Sequence, residues 1–252
     1  MSIVFNKSKE ISLDDETLRS DLLKIASGMD NVIALGRGDP DFHTPRHIVE
    51  AAKKALDENK HHYTPPTGLP ELRKSISKNF ELKYNLDYSE DEIIITAGVQ
   101  ESIALAMISL LKADDEVLIT SPRFTTYDLT VRMCNAKPVP VHTYEKDNFA
   151  LMPELIEQKI TKKTKLLVLV SPNNPTGAVT PPNNIKKIAQ IAIDNNLIII
   201  SDEIYADLIY DSHEHLSIGS LEKMKERTLT LNGFSKTYAC LLYTSDAADD
   251  KQ

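Results

Sequence analysis

The chain has 252 residues, of which 41% are hydrophobic and 26% charged, a composition typical of a globular protein with a sizeable core. Its formal net charge of −8 argues against nucleic acid or an anionic membrane surface as the main partner. Two cysteines offer no disulfide framework, and no apolar run has the length of a signal peptide or a membrane span. We therefore expect a cytoplasmic globular protein.

The first 44 residues predict an N-terminal arm. Apolar residues at helical spacing predict a helix over residues 18–29, and VIALGRGDPDFHTP predicts a short strand that breaks into a loop. Thr44 followed by Pro45 predicts a helix cap, with the helix continuing to about residue 58. A further helix is expected over residues 71–83.

From residue 92 onward, short apolar runs alternate with helical stretches. Strands that are apolar on both faces and alternate with helices predict a mostly parallel sheet covered on both sides, a three-layer α/β domain. We place this domain at residues 45–239. The predicted strands are residues 93–95, 117–119, 166–170, 197–200 and 229–231. The predicted helices between them are residues 100–111, 122–135 and 182–195.

Polar segments directly follow the predicted strands. They are residues 96–100, 121–124, 171–177, 201–205 and 232–236. Ligands of open α/β sheets bind outside the carboxyl ends of the strands. These five segments are therefore where we expect the chemistry.

Two of these segments carry residues suited to cofactor catalysis. Lys236 follows a strand and a small-residue turn, and a lysine in a partly dry cleft can form a Schiff base. Taken alone, such a lysine is more often a surface charge. Asp202 either caps a helix, with Glu203 favoured by the helix dipole, or pairs with a cationic ring nitrogen. Tyr205, three residues later, can reach the same ligand.

Two further segments are suited to binding. VLVSPNNPTGAV forms a rigid loop in which Asn174 can donate to a ring oxygen, although such a loop can also be purely structural. IIITAGVQESIALAM passes through Gly98 into a helix, whose free N–H groups and dipole favour an anion. It lacks the GxxxxGK[ST] pattern of nucleotide-binding loops, so ATP is not expected.

Five strings occur in the order GDPDFHTP, YTPPTGLPELR, SPNNPTG, SDEIY and NGFSKTYA. Together they resemble the class I/II aminotransferases of the fold-type-I superfamily that depends on pyridoxal phosphate (PLP). The resemblance covers residues 16–239. It implies the PLP-dependent transferase fold, pyridoxal 5′-phosphate as cofactor, and an L-amino acid and a 2-oxo acid as substrates. It also implies a homodimer and no metal.

The resemblance assigns catalytic roles to three residues, Lys236, Asp202 and Tyr205. Lys236 matches the lysine that bonds covalently to the cofactor and then carries the proton. Asp202 matches the partner of the pyridinium nitrogen. Asn174 and Tyr205 match the two residues that hydrogen-bond the cofactor's phenolic oxygen.

Other matches concern cofactor and substrate binding. Phe124 falls where an aromatic ring stacks on the pyridine. Tyr63 matches a tyrosine that reaches the phosphate in the neighbouring subunit. Gly38, together with Asn174, lies where the substrate carboxylate is held. The positions that match phosphate ligands are Gly98, Val99, Gln100 and Ser235.

The resemblance stops after Ala239. The family's arginine eight residues past the lysine would stand at position 244, which Thr244 occupies. Residues 240–252 resemble a translated sequencing adapter, and the C-terminal small domain is not recognisable. We therefore expect the chain as written to be poorly soluble and essentially inactive. A soluble, monodisperse product with ordinary transaminase turnover would contradict this expectation, and sequencing the source DNA past the codon for Ala239 tests the origin of residues 240–252.

Alternatives remain at this stage. A PLP-dependent carbon–sulfur lyase shares the same lysine, aspartate, asparagine and tyrosine, and differs in its products. A non-catalytic aminotransferase-like binding domain of the kind found in transcription regulators is disfavoured, because the resemblance begins almost at residue 16. His213 and His215 are expected to lie in a solvated loop rather than to bind a metal. The substrate side chain is not indicated.

Overall fold

The computed structural model describes residues 25, 26, 28, 29, 38 and 40–241. The chain divides into two compact units, residues 1–39 and residues 40–252. Most of the predicted helix over residues 18–29 and of the strand and loop after it lies outside the described residues, as does nearly all of the tail. The predicted domain boundaries stay a prediction. None of the described helices is long and apolar enough to cross a membrane.

A five-stranded parallel sheet forms the centre of the second unit. Its strand order is β2-β1-β3-β4-β5, and every neighbouring pair runs parallel. The strands are Glu116–Ser121 (β1), Lys137–His142 (β2), Thr164–Val170 (β3), Ile198–Asp202 (β4) and Thr228–Leu231 (β5). The prediction of an α/β fold with a parallel sheet is confirmed.

Six α-helices accompany the sheet in residues 40–241. They are Arg46–Asp57 (α1), Pro70–Tyr84 (α2), Val99–Leu110 (α3), Thr126–Met133 (α4), Pro153–Glu157 (α5) and Pro182–Asp194 (α6). Short 3₁₀ turns lie at Glu90–Glu92, Glu145–Asp147, Ile218–Ser220 and Lys225–Arg227.

The core has two layers because the central strands are apolar on both faces. On one face, Leu167 and Leu169 of β3 pack with residues of α5 and α6, including Ile156 and Ile188. On the other face, Leu166 and Val168 pack with residues of α3 and α4, including Met107, Tyr127 and Val131. Successive side chains of a strand point to opposite faces, so β3 contributes to both layers.

The strand predictions were wrong in two places. Residues 93–95 form no strand in the described structure, since their apolar pattern is not matched by a neighbouring strand. The Ile95 amide donates instead to the carbonyl of Thr67 at 3.1 Å. Strand β2, KPVPVH, was not predicted because it contains two prolines. It is an edge strand, where Pro138 and Pro140 can face the open side without disrupting the ladder.

Two helix starts also differ from the predictions. The helix predicted from residue 122 begins at Thr126, and residues 122–125 form a loop closed by an ion pair between Arg123 and Asp128. The predicted cap by Thr44 is wrong: Pro45 occupies the cap position without a side-chain hydrogen bond. The Thr44 hydroxyl donates to the carbonyl of Ala239 at 2.5 Å, a long-range partner that local sequence does not reveal.

Candidate active site

The carboxyl ends of the three strands β3, β4 and β5 are in register. Val170 pairs with Asp202, and Asp202 pairs with Leu231. The polar segments 171–177, 203–205 and 232–236 therefore begin side by side at one edge of the sheet. This arrangement is the one expected for a ligand site of an open α/β sheet.

Asp202 is a buried carboxylate at this edge, with 5% of the residue exposed. It accepts hydrogen bonds from the Tyr127 hydroxyl at 2.6 Å and from the Ile204 amide at 3.1 Å. Burial raises the pKa of Asp202 from 3.8 to about 6, although both hydrogen bonds act to lower it. Its described hydrogen-bond partners are both neutral, so the site favours a cation next to this carboxylate.

The hydrogen bond from the Ile204 amide shows which local structure the Asp202 side chain stabilises. The carboxylate accepts from an amide two residues later, and residues 204–207 form turns rather than an α-helix. The alternative reading of Asp202 as a helix cap is therefore wrong. Tyr205 comes close to Asp202 through this turn.

Tyr127 is a site residue that sequence reasoning missed. It lies on the buried face of α4, and its hydroxyl is the short hydrogen-bond donor to Asp202. Burial, followed by the charge of Asp202, raises the pKa of Tyr127 well above its usual value, so the hydroxyl stays protonated and donates. An apolar-looking position on a helix gave no signal of this role.

Lys236 and Tyr205 lie close together. The Lys236 Nζ is 5.9 Å from the centroid of the Tyr205 ring, a cation–π distance. Both side chains are half-buried, and Ser235 next to the lysine is buried. Burial raises the pKa of Tyr205, and the charge of Asp202 adds to the effect. Two of the residues assigned to catalysis from the motifs are thus brought into contact.

At the start of α3, a turn leaves backbone amides available to hydrogen-bond a ligand. Gly98 has φ +90° and ψ 171°, a conformation that side-chain-bearing residues avoid. Val99 and Gln100 occupy the first helical turn, where amides have no intrahelical partner. The Glu101 carboxylate accepts from the Ala97 amide. Phe124 packs against the same core layer as α3.

The loop SPNNPTG holds two asparagines with different roles. Asn173 is buried, and its amide group donates to the Pro122 carbonyl at 3.4 Å and to the Thr176 hydroxyl at 2.9 Å. The Oδ1 atom of Asn173 is buried and has no partner in the described part of the chain. Asn174, the residue that the motif selects, is half-buried. The loop therefore links the segments after β1 and β3.

Two further site residues predicted from the motifs are Tyr63 and Gly38. Tyr63 is fully exposed on the loop between α1 and α2. Gly38 is exposed and belongs to the first compact unit. Their roles stay predictions.

A second buried carboxylate, Glu203, lies next to Asp202. Its Oε1 accepts from the hydroxyls of Ser201 and Ser217, both at 2.7 Å, and its Oε2 is 3.0 Å from His215 Nε2. The His215 side chain is only 9% exposed. The expectation of a solvated loop was wrong for His215, because a buried carboxylate requires donors and the loop folds back to supply them. His213 is exposed.

Comparison with known proteins decides the family. The family "Aminotransferase class I and II" matches residues 30–241, most of the chain. The chain belongs to this family.

Its relatives include aminotransferases of archaea. The aspartate aminotransferase of Pyrococcus abyssi is 45% identical over 86% of this chain and 56% of its own length. The aromatic-amino-acid aminotransferase 2 of Thermococcus litoralis is 43% identical over the same shares. The chain spans about half the length of the curated relatives it matches.

Solved structures support the fold. An aromatic aminotransferase from Pyrococcus horikoshii OT3 matches with a TM-score of 0.82 at 43% identity, covering 87% of this chain and 59% of that one. A single mutant of Thermus thermophilus aspartate aminotransferase matches with a TM-score of 0.87 at 34% identity, covering 95% and 62%. The chain therefore has the fold of the PLP transferase large domain.

Members of the family generally use PLP. The residues at the sheet edge fit that cofactor. Buried Asp202 has described partners that are all neutral, which suits a protonated ring nitrogen. Lys236 lies in the adjacent segment, and the first turn of α3 offers amides to a phosphate.

Proposed function

We propose that this protein is a PLP-dependent aminotransferase, which moves an amino group between an L-amino acid and a 2-oxo acid in the cytoplasm. The observation that supports this function most directly is the buried Asp202 carboxylate, at the same sheet edge as the segment carrying Lys236. Family membership and the names of the relatives support the reaction class.

Lys236 and Asp202 have the central roles in this proposal. Lys236 would hold the cofactor covalently and would carry a proton at the substrate's α-carbon. Asp202 keeps the ring nitrogen protonated, and the Tyr127 hydroxyl orients its carboxylate. When bound, PLP supplies the electron sink for the α-carbon.

The remaining residues bind and orient. Asn174 and Tyr205 would hydrogen-bond the phenolic oxygen of the cofactor, and Phe124 would stack on its ring. Asn174, with Gly38, also holds the carboxylate of the substrate. The phosphate is held by the four residues Gly98, Val99, Gln100 and Ser235.

We also propose a homodimer with shared sites, in which Tyr63 binds the phosphate of the neighbouring subunit. The full exposure of Tyr63 supports this proposal, since a partner can reach it. Mixing Tyr63→Phe and Lys236→Ala subunits should give hybrids with one site free of both substitutions. Activity of the mixture above that of either variant alone supports sharing, and no gain contradicts it.

The decisive experiment is a single turnover with the product of the complete source gene. Adding L-aspartate or L-phenylalanine to the PLP-loaded enzyme, without a 2-oxo acid, should produce pyridoxamine phosphate and the matching 2-oxo acid. These two donors are chosen because the relatives are named aspartate and aromatic aminotransferases.

The same experiment separates the alternatives. Release of pyruvate or ammonia from a β-substituted substrate such as L-cystathionine, without pyridoxamine phosphate, would indicate the lyase. No reaction with any amino acid, despite bound PLP, would indicate a binding domain. The Lys236→Ala variant is the control, since it retains the other contacts and should not turn over.

A further inference from the structure

Glu203 is a second buried carboxylate beside the candidate site, and the proposed reaction does not use it. Ile199 and Ile200 of β4 pack in different core layers, one on each face of the sheet. Successive residues of a strand alternate between faces, so Ser201 and Glu203 share the face of Ile199. The Ser201 hydroxyl accordingly donates to Glu203 Oε1 at 2.7 Å. The Glu203 side chain therefore lies on the opposite face of the sheet from the Asp202 carboxylate.

The backbone of Glu203 continues the sheet, whereas its side chain reaches the far end of a loop. The Glu203 amide donates to the Leu231 carbonyl of β5 at 2.8 Å. Its Oε1 also accepts from the Ser217 hydroxyl at 2.7 Å, and its Oε2 lies 3.0 Å from His215 Nε2. An ionised carboxylate only accepts hydrogen bonds, so the His215 ring donates through Nε2–H. Glu203 thus joins the two ends of the loop formed by residues 204–216.

This loop carries Tyr205 near its start. Residues 204–216 form turns and no helix or strand, with the Ala206 amide donating to the Glu203 carbonyl at 3.0 Å and the Leu208 amide to the Tyr205 carbonyl at 2.8 Å. An irregular segment of this length has many accessible conformations, and joining its ends removes a large part of them. The contacts of Glu203 therefore constrain the turn that places Tyr205 near Lys236.

The far end of the loop is anchored in its turn. The His215 ring meets the Tyr84 ring of α2 edge to face, with the ring centroids 5.8 Å apart. The Ser220 hydroxyl donates to the Ser217 carbonyl at 2.7 Å. The side chains of Glu203 and His215 are 2% and 9% exposed. Because a buried carboxylate that loses its donors is strongly unfavourable, the loop end cannot leave Glu203 without a large cost.

We propose that Glu203 is a positioning residue that closes the loop of residues 204–216 and thereby holds Tyr205 at the sheet edge. It acts through the backbone, because its side chain lies on the opposite face of the sheet from Asp202. Fixing the turn before the cofactor binds lowers the conformational entropy lost on binding. This inference rests on the proposed function, in which Tyr205 hydrogen-bonds the phenolic oxygen of PLP.

The first test measures hydrogen exchange of the backbone amides of residues 204–208 in the product of the complete source gene, without cofactor. Glu203→Gln keeps the size of the side chain but replaces an ionised acceptor with a neutral amide. Hydrogen bonds to ionised groups are about twice as strong as neutral ones, so exchange of these amides should accelerate about three- to tenfold.

Glu116→Gln is the matched control for this measurement. Glu116 is also buried, and it accepts from the Thr161 hydroxyl at 2.6 Å and from Lys137 Nζ at 3.4 Å. It stands at the amino end of β1, away from the loop, so Glu116→Gln should leave exchange of residues 204–208 unchanged. Equal exchange of these residues in the two variants would overturn the proposal.

Ser217→Ala is a second variant that decides the question if Glu203→Gln fails to fold. It removes one hydroxyl and leaves Glu203 with the donors of Ser201 and His215. Exchange of residues 204–208 should accelerate about two- to tenfold, the effect of one net hydrogen bond. Exchange equal to that of the unsubstituted protein would overturn the closure of the loop by Glu203.

A spectroscopic readout follows Tyr205 itself. The visible absorbance of each PLP-loaded protein is titrated with pH. A donor at the phenolic oxygen favours loss of the chromophore's proton, so a loosened Tyr205 should raise the midpoint of the titration. Glu203→Gln should raise it by about 0.4 to 1 pH unit, and Glu116→Gln should not change it.

The two readouts separate this inference from the proposed function. A midpoint that is the same in Glu203→Gln, Glu116→Gln and the unsubstituted protein would overturn the positioning of Tyr205. If the unsubstituted protein binds no PLP, the proposed function fails, while the exchange measurement still decides whether Glu203 closes the loop.

Discussion

Asp202 is the residue whose energetics are most unusual. Its carboxylate is buried and accepts two hydrogen bonds, from a hydroxyl and an amide. Burial therefore destabilises the ionised form, and this raises the pKa of Asp202 to about 6. A cation bound next to Asp202 would stabilise the ionised carboxylate and offset this cost. Functional sites often retain such locally unfavourable groups.

Replacing Asp202 with asparagine should therefore stabilise the chain in the absence of cofactor. The folded-state pKa of about 6 lies above the ordinary 3.8, so the folded chain binds the extra proton between these values. Stability then falls as the pH rises from about 4 to about 6, and the penalty is complete above pH 6. At pH 8, Asp202→Asn should gain roughly 1–3 kcal/mol in the free energy of unfolding.

Urea unfolding at pH 4 and at pH 8 measures this gain, which should vanish at the lower pH. Asp207→Asn is the matched control, because the pKa of Asp207 is lowered and its ionised form stabilises the fold above the ordinary pKa. That variant should lose stability at pH 8. A loss in both variants would contradict the account of Asp202.

Replacing Tyr127 with phenylalanine should have the opposite sign. The substitution keeps the ring in the core layer but removes the closest donor to Asp202, leaving the carboxylate with the Ile204 amide. We expect a loss of about 1–3 kcal/mol in unfolding free energy at pH 8. In the Asp202→Asn background, Tyr127→Phe should cost less unfolding free energy, and a double-mutant cycle measures this difference. An unchanged loss would show that Tyr127 acts through packing alone.

At the scale of elements, the buried strands were predictable and the marginal ones were not. Strands β3 and β4 are apolar on both faces, which only a covered parallel sheet explains. Residues 93–95 have the same apolar pattern but form no strand. A strand must pair with a neighbouring strand, and the sequence of the segment alone does not show whether such a neighbour exists. Strand β2 is the opposite case. Its two prolines argue against a strand, but it forms one because it pairs with β1.

The site was predictable where a motif supplied the residues. Lys236, Asp202 and Tyr205 stand in strings specific to a family, and their segments follow strands. Tyr127 was missed because it lies on the buried face of a helix and contacts a residue far away in the sequence. The pairing of Glu203 with His215 was missed because the two residues are also distant in the sequence. Only the three-dimensional packing of α4 and of the loop after β4 creates these contacts.

The start of α3 gives a prediction for a single element. Gly98→Ala forces a side chain into a conformation at φ +90° and ψ 171° that costs about 1–3 kcal/mol. The amides that follow it should be displaced, and PLP affinity should fall about 10- to 100-fold, the effect of losing one hydrogen bond to a charged group. Fluorescence titration with PLP measures the affinity.

Gly177→Ala serves as the matched control. Gly177 also has positive φ, +71°, and an added Cβ would meet no atom within 4 Å. This variant should lose a similar amount of stability, while PLP affinity should fall much less than in Gly98→Ala, because the added methyl group does not displace the amides at the start of α3. Equal affinities for the two variants would contradict phosphate binding at the start of α3.

At the scale of the whole molecule, the candidate site depends on the complete sheet. The segments that carry Asn174, Asp202, Tyr205 and Lys236 lie at the carboxyl ends of strands β3, β4 and β5, which are in register. Two core layers, one on each face, fix that alignment. Local sequence chooses the chemical groups, and the topology of the parallel sheet brings them together.

The most direct test of the central claim is to find where PLP binds covalently. The product of the complete source gene is incubated with PLP, reduced with borohydride, digested and mapped by mass spectrometry. We predict that the label is concentrated on Lys236, disappears in Lys236→Ala and weakens in Asp202→Asn. Label spread over exposed lysines, and unchanged by Lys236→Ala, would contradict the assignment of this sheet edge as the cofactor site.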